Sequence, residues 1–143
     1  RATLCRHFPS RDSMMQALFD AGFASVEQAI ERAQLHTGPA DQAIRRMINE
    51  LLPIVELYAC VDQHTQNDAA MEAKVQPLRA SLILVFQDWQ KAGELRVDLP
   101  AAWLLESTFA LLRSAAVMIR SERLARHDAV DNVYALLWQG IAK

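Results

Sequence analysis

The sequence predicts an all-α fold, and three observations support this prediction. Apolar residues recur with the i, i+3, i+4, i+7 spacing of amphipathic helices, and no segment alternates with the period of two that is typical of strands. Residues that start and end helices separate the apolar segments. The chain has 143 residues, 52% of them hydrophobic, so it is long and apolar enough to bury a substantial core.

Five apolar stripes predict five long helices. They run from Met15 to Ala33, from Ile44 to Ala59, from Val75 to Trp89, from Leu104 to Ile119 and from Val130 to Ile141. Pro53 falls inside the second stripe and predicts a bend, because proline lacks the amide hydrogen that a helix interior needs. Pro77 predicts either a bend in the third helix or the point where that helix restarts.

Local signals predict where these helices begin and end. Ser10 is a good N-cap for the first helix, and Gly38 with the proline after it predicts the end of the first helix and the start of the second. The polar residues 62–68 are typical of a loop or a frayed helix end. Gly93 predicts the end of the third helix, and Asp98 is the predicted cap of the fourth.

The last two helices are predicted to pack as an antiparallel hairpin, because a short link joins them. The fourth helix also has a second apolar side, formed by Trp103, Ala110, Ser114 and Val117, so it needs two neighbours. We expect two such hairpins to form a four-helix bundle in a homodimer. The predicted dimer interface comprises Leu104, Thr108, Leu111, Leu112, Ala115, Ile119, Val130, Val133, Leu137 and Ile141.

The charge balance limits how the chain could contact nucleic acid. The net charge is −2, so any such contact needs a local basic patch. The first eleven residues provide one, because Arg1, Arg6, His7 and Arg11 precede the first acidic residue. On charge alone, a solvated helix end is the commoner explanation of such a patch.

Cysteine usage and hydropathy indicate a cytoplasmic protein. Cys5 and Cys60 do not make a disulfide framework, and no signal peptide is recognisable. The longest aliphatic and aromatic run, LILVF, is too short to span a bilayer, so no membrane partner is expected. A redox role for either cysteine is the less common alternative to ordinary packing of a small side chain, and Cys5 is the better candidate for it because it lies among arginines.

Motifs of catalysis and metal binding are absent from the sequence. It contains no glycine-rich phosphate loop, no nucleophile elbow and no cluster of paired carboxylates. Cys60 and His64 are four residues apart, but two ligands do not close a metal site. We therefore expect no enzyme activity, no cofactor and no metal.

The opening stretch TLCRHFPSRDSMMQALF resembles the end of the DNA-binding region of TetR-type transcriptional regulators. The later stretch GELRVDLPAAWLLES resembles the segment that leads into the dimer-forming helix of that family. The residues that match the first pattern are Thr3, Leu4, His7, Phe8, Ser10, Arg11 and Asp12.

The resemblance implies a division of the chain into three parts. Residues 1–9 would be a remnant of a helix-turn-helix domain, namely its recognition helix, and residues 10–36 a connecting helix. Residues 37–143 would bind an effector and dimerise. The resemblance also implies that the rest of the helix-turn-helix precedes Arg1, so the chain is expected to be a piece of a longer protein.

The resemblance assigns DNA contacts to the start of the chain. Leu4 and Phe8 would pack inward, which leaves their neighbours to face phosphates and base edges. The family usually has a tyrosine where Cys5 stands, and a thiol is a weaker donor. The predicted DNA-binding residues are Arg1, Thr3, Cys5, Arg6, His7 and Arg11.

The resemblance further implies a small, largely apolar effector bound inside the helical domain, between the helix after the recognition helix and the first helix of the final pair. Core packing is the alternative explanation for the same aromatic and methionine residues. The candidate pocket residues are Met47, Leu51, Tyr58, Phe86, Trp89, Trp103, Glu106, Ser107 and Phe109.

The sequence thus predicts a homodimeric, DNA-binding transcriptional regulator, most often a repressor in this family, whose affinity for a double-stranded operator is modulated by a small ligand. The alternative is a helical dimerisation or small-molecule-binding module with no role in DNA binding.

Overall fold

The computed structural model describes residues 10–65 and 69–143, with the backbone alone described at 59–65. These residues form five helices: α1 (Arg11–Ala33), α2 (Ala40–Thr65), α3 (Ala69–Lys91), α4 (Ala101–Arg120) and α5 (Arg126–Ile141). The predicted all-α fold is confirmed. The predicted DNA contacts at Arg1, Thr3, Cys5, Arg6 and His7, and the side chains of Cys60 and His64, lie outside the described part.

Ser10 is the N-cap of α1, as the sequence predicts, and Ser13 completes a reciprocal pair with it. The backbone N–H of Ser13 donates to Ser10 Oγ at 3.0 Å, and the backbone N–H of Ser10 donates to Ser13 Oγ at 3.1 Å. These bonds satisfy donors that a helix start otherwise leaves unpaired, and such a cap is worth about 1 kcal/mol. Ser10 therefore sets the point from which α1 leaves the predicted DNA-contacting segment.

The end of α1 differs from the prediction. The helix ends at Ala33 and Gln34 takes the left-handed conformation with φ of 47°, so Gly38 lies beyond the helix in the following turn. The reason is a contact distant in sequence, because Arg46 of α2 donates to the carbonyl oxygens of Ala33 at 2.8 Å and of Thr37 at 2.6 Å. A side chain from the next helix thus satisfies carbonyls at this helix end.

The two internal prolines do not interrupt their helices. α2 continues through Pro53 as far as Thr65, so residues 62–65 are helical; of the two predicted alternatives for residues 62–68, a loop is wrong there and a frayed helix end stays a prediction. α3 continues through Pro77, so the predicted alternative of a helix restart is also wrong. The bend expected at Pro53 stays a prediction.

The connection between α3 and α4 begins as predicted but ends differently. Gly93 has φ of 77°, and the N–H groups of Gly93 and Glu94 return to Gln90 and Trp89 in a Schellman arrangement. Asp98 does not cap α4, since the N-cap position is held by Pro100. The Asp98 carboxylate instead accepts hydrogen bonds from Arg96 at 2.8 and 2.5 Å, and this interaction lowers its pKa.

This connection is attached to the far end of α5. Arg96 donates from its backbone to the carbonyl oxygen of Ile141 at 2.9 Å and from Nη1 to that of Gly140 at 3.0 Å. Leu95, which is fully buried, forms an isolated antiparallel bridge with Ala142. The segment that precedes α4 is therefore hydrogen-bonded to the C-terminal end of α5.

The core lies along the first half of α2 and the inward sides of α3, α4 and α5, with Ala29 and Ala33 added by α1. Fully buried side chains in α2 include Ile44, Met47, Ile48 and Leu51, and α4 packs against α2, α3 and α5. By length and composition α4 could cross a membrane, but many of its side chains are buried within the domain. Core packing therefore explains much of its apolar character.

The predicted dimer interface is wrong for most of its members. Leu111 and Val130 are half-buried, but the other eight are buried inside the single chain and cannot present a surface to a partner. Thr108, for example, is fully buried and its hydroxyl donates to the Leu104 carbonyl oxygen at 2.8 Å. The buried members are Leu104, Thr108, Leu112, Ala115, Ile119, Val133, Leu137 and Ile141.

The exposed apolar surface of the hairpin is instead the second side of α4 together with part of α5. Trp103 is 61% exposed, Val117 is 47% exposed, and Leu136 on α5 is 63% exposed. Ala110 and Ser114, which lie between Trp103 and Val117 on the helix, are also exposed. We call Trp103, Ala110, Ser114, Val117 and Leu136 the hairpin face.

Candidate ligand pocket

A cavity of about 580 Å³ lies between α1, α2, α3 and α4. Its lining is mainly apolar, with aliphatic side chains from α2, α3 and α4 that include Ile54, Leu78 and Leu105. Four aromatic rings also line it, namely those of Phe19, Phe23, Tyr58 and Phe109. A cavity of this size, with apolar walls and a few polar groups, has the character of a small-molecule site.

The aromatic wall on α1 follows from a simple sequence spacing. Phe19 and Phe23 are four residues apart, so their side chains lie on one side of the helix, and the rings stack with centroids 6.1 Å apart at 9°. Lys74 of α3 lies 5.7 Å from the Phe23 ring centroid and donates to Asp20 at 2.5 Å. This hydrogen bond lowers the pKa of the Asp20 carboxyl and joins α1 to α3 beside the cavity.

The charged groups of the cavity include two acids that share one guanidinium. Arg79 on α3 places Nη1 at 2.6 Å from Glu72 Oε1 and Nε at 3.1 Å from Glu106 Oε1. Glu72 is on α3 and Glu106 is on α4, so Arg79 bridges two walls of the cavity. The three side chains are between 33% and 52% exposed, which places this cluster where the cavity meets solvent.

Gly22 allows α1 to approach α2 closely beside the cavity. A Cβ atom at this position would lie 3.0 Å from two carbons of the Tyr58 ring, which is closer than ordinary van der Waals contact. The ring of a cavity-lining residue therefore packs directly on the backbone of α1. Any ligand that moves Tyr58 would press on this helix.

Replacing Gly22 with alanine is expected to weaken ligand binding by several-fold while changing stability by less than about 1 kcal/mol. Alanine favours a helix by up to about 1 kcal/mol, which offsets the cost of displacing the Tyr58 ring into the cavity. Gly140→Ala is a matched control, since its added methyl group meets no atom within 4 Å. Titration of an aromatic ligand followed by fluorescence, together with urea unfolding, would measure both effects. Equal ligand affinities of Gly22→Ala and Gly140→Ala would show that the contact between Gly22 and Tyr58 does not influence ligand binding.

The structure brings together only part of the predicted pocket. Tyr58, Glu106 and Phe109 line the cavity. Ser107 is half-buried and does not line it, and Trp103 is exposed on the hairpin face. The remaining four candidates belong to the core rather than to the cavity wall: Met47, Leu51, Phe86 and Trp89.

Sequence reasoning named no cavity-lining residue of α1, and the two residues of α3 that it named, Phe86 and Trp89, are not the ones that line the cavity. Phe19 and Phe23 were available as an aromatic pair at helical spacing beside Gly22, a residue that permits a close helix contact. The position of Arg79 in the cavity was harder to predict from the sequence. Its role depends on Glu106, which is distant in sequence and on a different helix.

A second, larger cavity of about 720 Å³ lies between α2 and the start of α5. Ion pairs join charged residues of its two sides, Arg45 with Asp131 and Arg126 with Glu56. Two of its three arginines are thus paired with acids, the third, Arg46, donates to backbone carbonyl oxygens, and no Phe, Tyr or Trp ring of the described chain lines this cavity. We therefore take the cavity between α1 and α4 as the candidate site. Within the described residues no group of three or more potential metal ligands occurs.

The described part of the chain is an all-α domain with a cavity built partly from its first helix. No family model matches the sequence. The HTH-type transcriptional repressor LfrR of Mycolicibacterium smegmatis is 28% identical over 144 residues, covering 99% of this chain and 74% of that protein.

Solved structures show the same fold. The TetR-like transcriptional regulator LfrR from Mycobacterium smegmatis in complex with proflavine has a TM-score of 0.79 at 23% identity, covering 100% of this chain and 79% of that chain. A protein of unknown function from Rhodococcus sp. RHA1 has a TM-score of 0.76 at 19% identity, and the match covers 96% of this chain and 77% of that chain. The relative in sequence and the first of these structures are both described as transcriptional regulators, which agrees with the resemblance noted in the sequence. The chain therefore has the fold of TetR-like transcriptional regulators, and its sequence is similar to that of one of them.

Proposed function

We propose that this regulator is a cytoplasmic, homodimeric repressor that releases its operator when a small aromatic molecule binds the cavity between α1 and α4. The observation that supports this most directly is the double role of α1. This helix begins at Arg11, directly after the predicted DNA-contacting segment, and its residues Phe19, Gly22 and Phe23 line the cavity. One rigid element thus connects the two proposed sites.

The geometry of α1 sets the scale of the coupling. Gly22 lies eleven residues after Arg11, which corresponds to about 16 Å along a helix. A small rotation of α1 where it contacts the Tyr58 ring would therefore move the DNA-contacting end by a larger distance. Allosteric coupling is typically worth about 1–3 kcal/mol, so ligand and operator should weaken each other by about 5- to 150-fold.

The aromatic lining favours planar aromatic ligands. The rings of Phe19, Phe23, Tyr58 and Phe109 offer flat surfaces on which another ring system can stack. The similar regulator LfrR has been solved in complex with proflavine, a planar aromatic molecule. We propose that effectors of this chain belong to the same broad chemical class.

Dimerisation through the hairpin face would complete the repressor. Two copies related by a two-fold axis would present two recognition segments to half-sites about 34 Å apart, or one turn of DNA. The α4–α5 hairpin carries exposed apolar side chains at Trp103, Val117 and Leu136. Burying them against a second copy would remove apolar surface from water.

DNA binding can be tested with the full-length protein and a labelled fragment of the region upstream of its own gene. We expect Arg6→Gln and Arg11→Gln each to weaken binding by about tenfold, and raised salt to weaken it further, because both side chains are proposed to contact phosphates. Arg32→Gln removes the same charge from the other end of α1, where Arg32 pairs with Glu50 at 2.7 Å, and should bind normally. Unchanged binding in both test variants would place the DNA contacts elsewhere.

Operator release can be tested by adding proflavine to the preformed complex. Because planar aromatic cations also intercalate into DNA, an unrelated regulator bound to its own DNA serves as the control. Release from this protein alone would support ligand control. A protein that binds the aromatic molecule but never binds DNA would fit the alternative function, a ligand-binding module without an operator.

A further inference from the structure

The arrangement around Arg79 bears on which aromatic molecules the cavity accepts. The guanidinium contacts Glu72 at 2.6 Å and Glu106 at 3.1 Å, so both cavity carboxylates share a single cation. Arg113 on α4 also lines the cavity and makes its own interactions. The two acids and two arginines therefore balance in charge when no ligand is bound.

This balance has a consequence for a positively charged ligand. A cation gains the full attraction of Glu72 and Glu106 only if it replaces the Arg79 guanidinium between them, since otherwise it meets carboxylates that are already paired and a like charge beside them. Arg79 is 33% exposed, so its flexible side chain can turn into solvent when it is displaced. An uncharged aromatic molecule requires no such displacement and can stack on the rings beside the intact ion pairs.

We propose that Arg79 sets the charge selectivity of the cavity by acting as an internal competitor for the carboxylates of Glu72 and Glu106. Aromatic cations bind by replacing its guanidinium, whereas uncharged aromatic molecules of the same shape bind without doing so. This inference rests on the proposed function of the cavity as a ligand site. It names Arg79 as a residue that determines which class of effector is accepted.

Opposite effects are expected from removing the two kinds of charge. Arg79→Gln leaves the acids without their cation, so the affinity for an aromatic cation should rise about fivefold, the scale of a partly exposed ion pair. Glu106→Gln removes one of the acids, so the same affinity should fall by a similar factor. Affinity for an uncharged aromatic molecule should change less than about twofold in both variants.

Two probes of equal shape allow the test on the full-length protein. Proflavine carries a positive charge at neutral pH, and the diaminoanthracene with the same substitution pattern is its uncharged carbocyclic counterpart. The affinity of each is measured by fluorescence titration for the unaltered protein, Arg79→Gln and Glu106→Gln. Arg32→Gln, which breaks the Arg32–Glu50 pair outside the cavity, is the matched control and should leave both affinities unchanged.

The opposite signs separate charge selection from a structural effect. Loss of a merely structural ion pair would shift cation binding in the same direction in Arg79→Gln and Glu106→Gln, because both variants break the same contact. That outcome, or an unchanged ratio of the two probe affinities in Arg79→Gln, would overturn this inference while leaving the ligand site intact. Failure of both probes to bind the unaltered protein would overturn the proposed ligand site and this inference with it.

Discussion

Replacing Leu112 with alanine is expected to lower the free energy of unfolding by about 2–5 kcal/mol, the usual range for a fully buried leucine. Leu112 lies in the middle of α4, has no exposed surface, and belongs to the core cluster that joins α4 to its neighbours in the same chain. Its removal leaves a cavity that the surrounding helices can fill only in part. Urea unfolding followed by circular dichroism would measure the loss.

Leu136→Ala is the matched control for this substitution. It makes the same chemical change on the neighbouring helix α5, but Leu136 is 63% exposed, so the change in stability measured at low protein concentration should stay below about 1 kcal/mol. If Leu112→Ala instead left stability unchanged and altered only the association of chains, Leu112 would face a partner. Leu112 would then not belong to the core of the single chain.

The helices of this protein could be predicted because their signals are local. The stripe of apolar residues in each helix needs no knowledge of the rest of the chain. The caps at Ser10 and Gly93 follow from the conformations that these residues adopt. The end of α1 could not be predicted in this way, because it depends on Arg46, a residue of the following helix.

The faces of α4 show where sequence reasoning reaches its limit. Both the side that contains Leu104 and the side that contains Trp103 are apolar at helical spacing, so periodicity predicts two buried sides without ranking them. The structure places Leu104 inside the chain and leaves Trp103 61% exposed. Only the packing of α4 against α2, α3 and α5 decides between the two sides.

The cavity was harder to predict than the core for a related reason. Periodicity indicates which side of a helix faces inward. It does not indicate where inward-facing side chains leave unfilled space between the helices. Met47 and Phe86 are fully buried in the core, whereas Tyr58 and Phe109 line the cavity. The gap depends on how four helices are spaced, and contacts such as Gly22 against Tyr58 contribute to that spacing.

If the proposed dimer forms through the hairpin face, introducing a charge there is expected to dissociate it and to remove the proposed operator binding. Trp103→Glu and Leu136→Glu each place a carboxylate where we propose that two copies meet, and burying an unpaired charge there should weaken association at least 100-fold. Sedimentation of the full-length protein would measure the shift from dimer to monomer. Operator affinity should fall in parallel, because a monomer reads one half-site only.

Leu84→Glu makes the control for this prediction. Leu84 is 59% exposed on α3, nearly the same as Leu136, but it lies outside the hairpin, so a charge there should leave association unchanged. The comparison separates the position of the charge from its chemistry, since all three variants replace an exposed apolar side chain with glutamate. Each should remain folded, because none of the three side chains belongs to the core. If Leu84→Glu alone gave monomers, the dimer would form through α3, and α4 would owe its second apolar side to another contact.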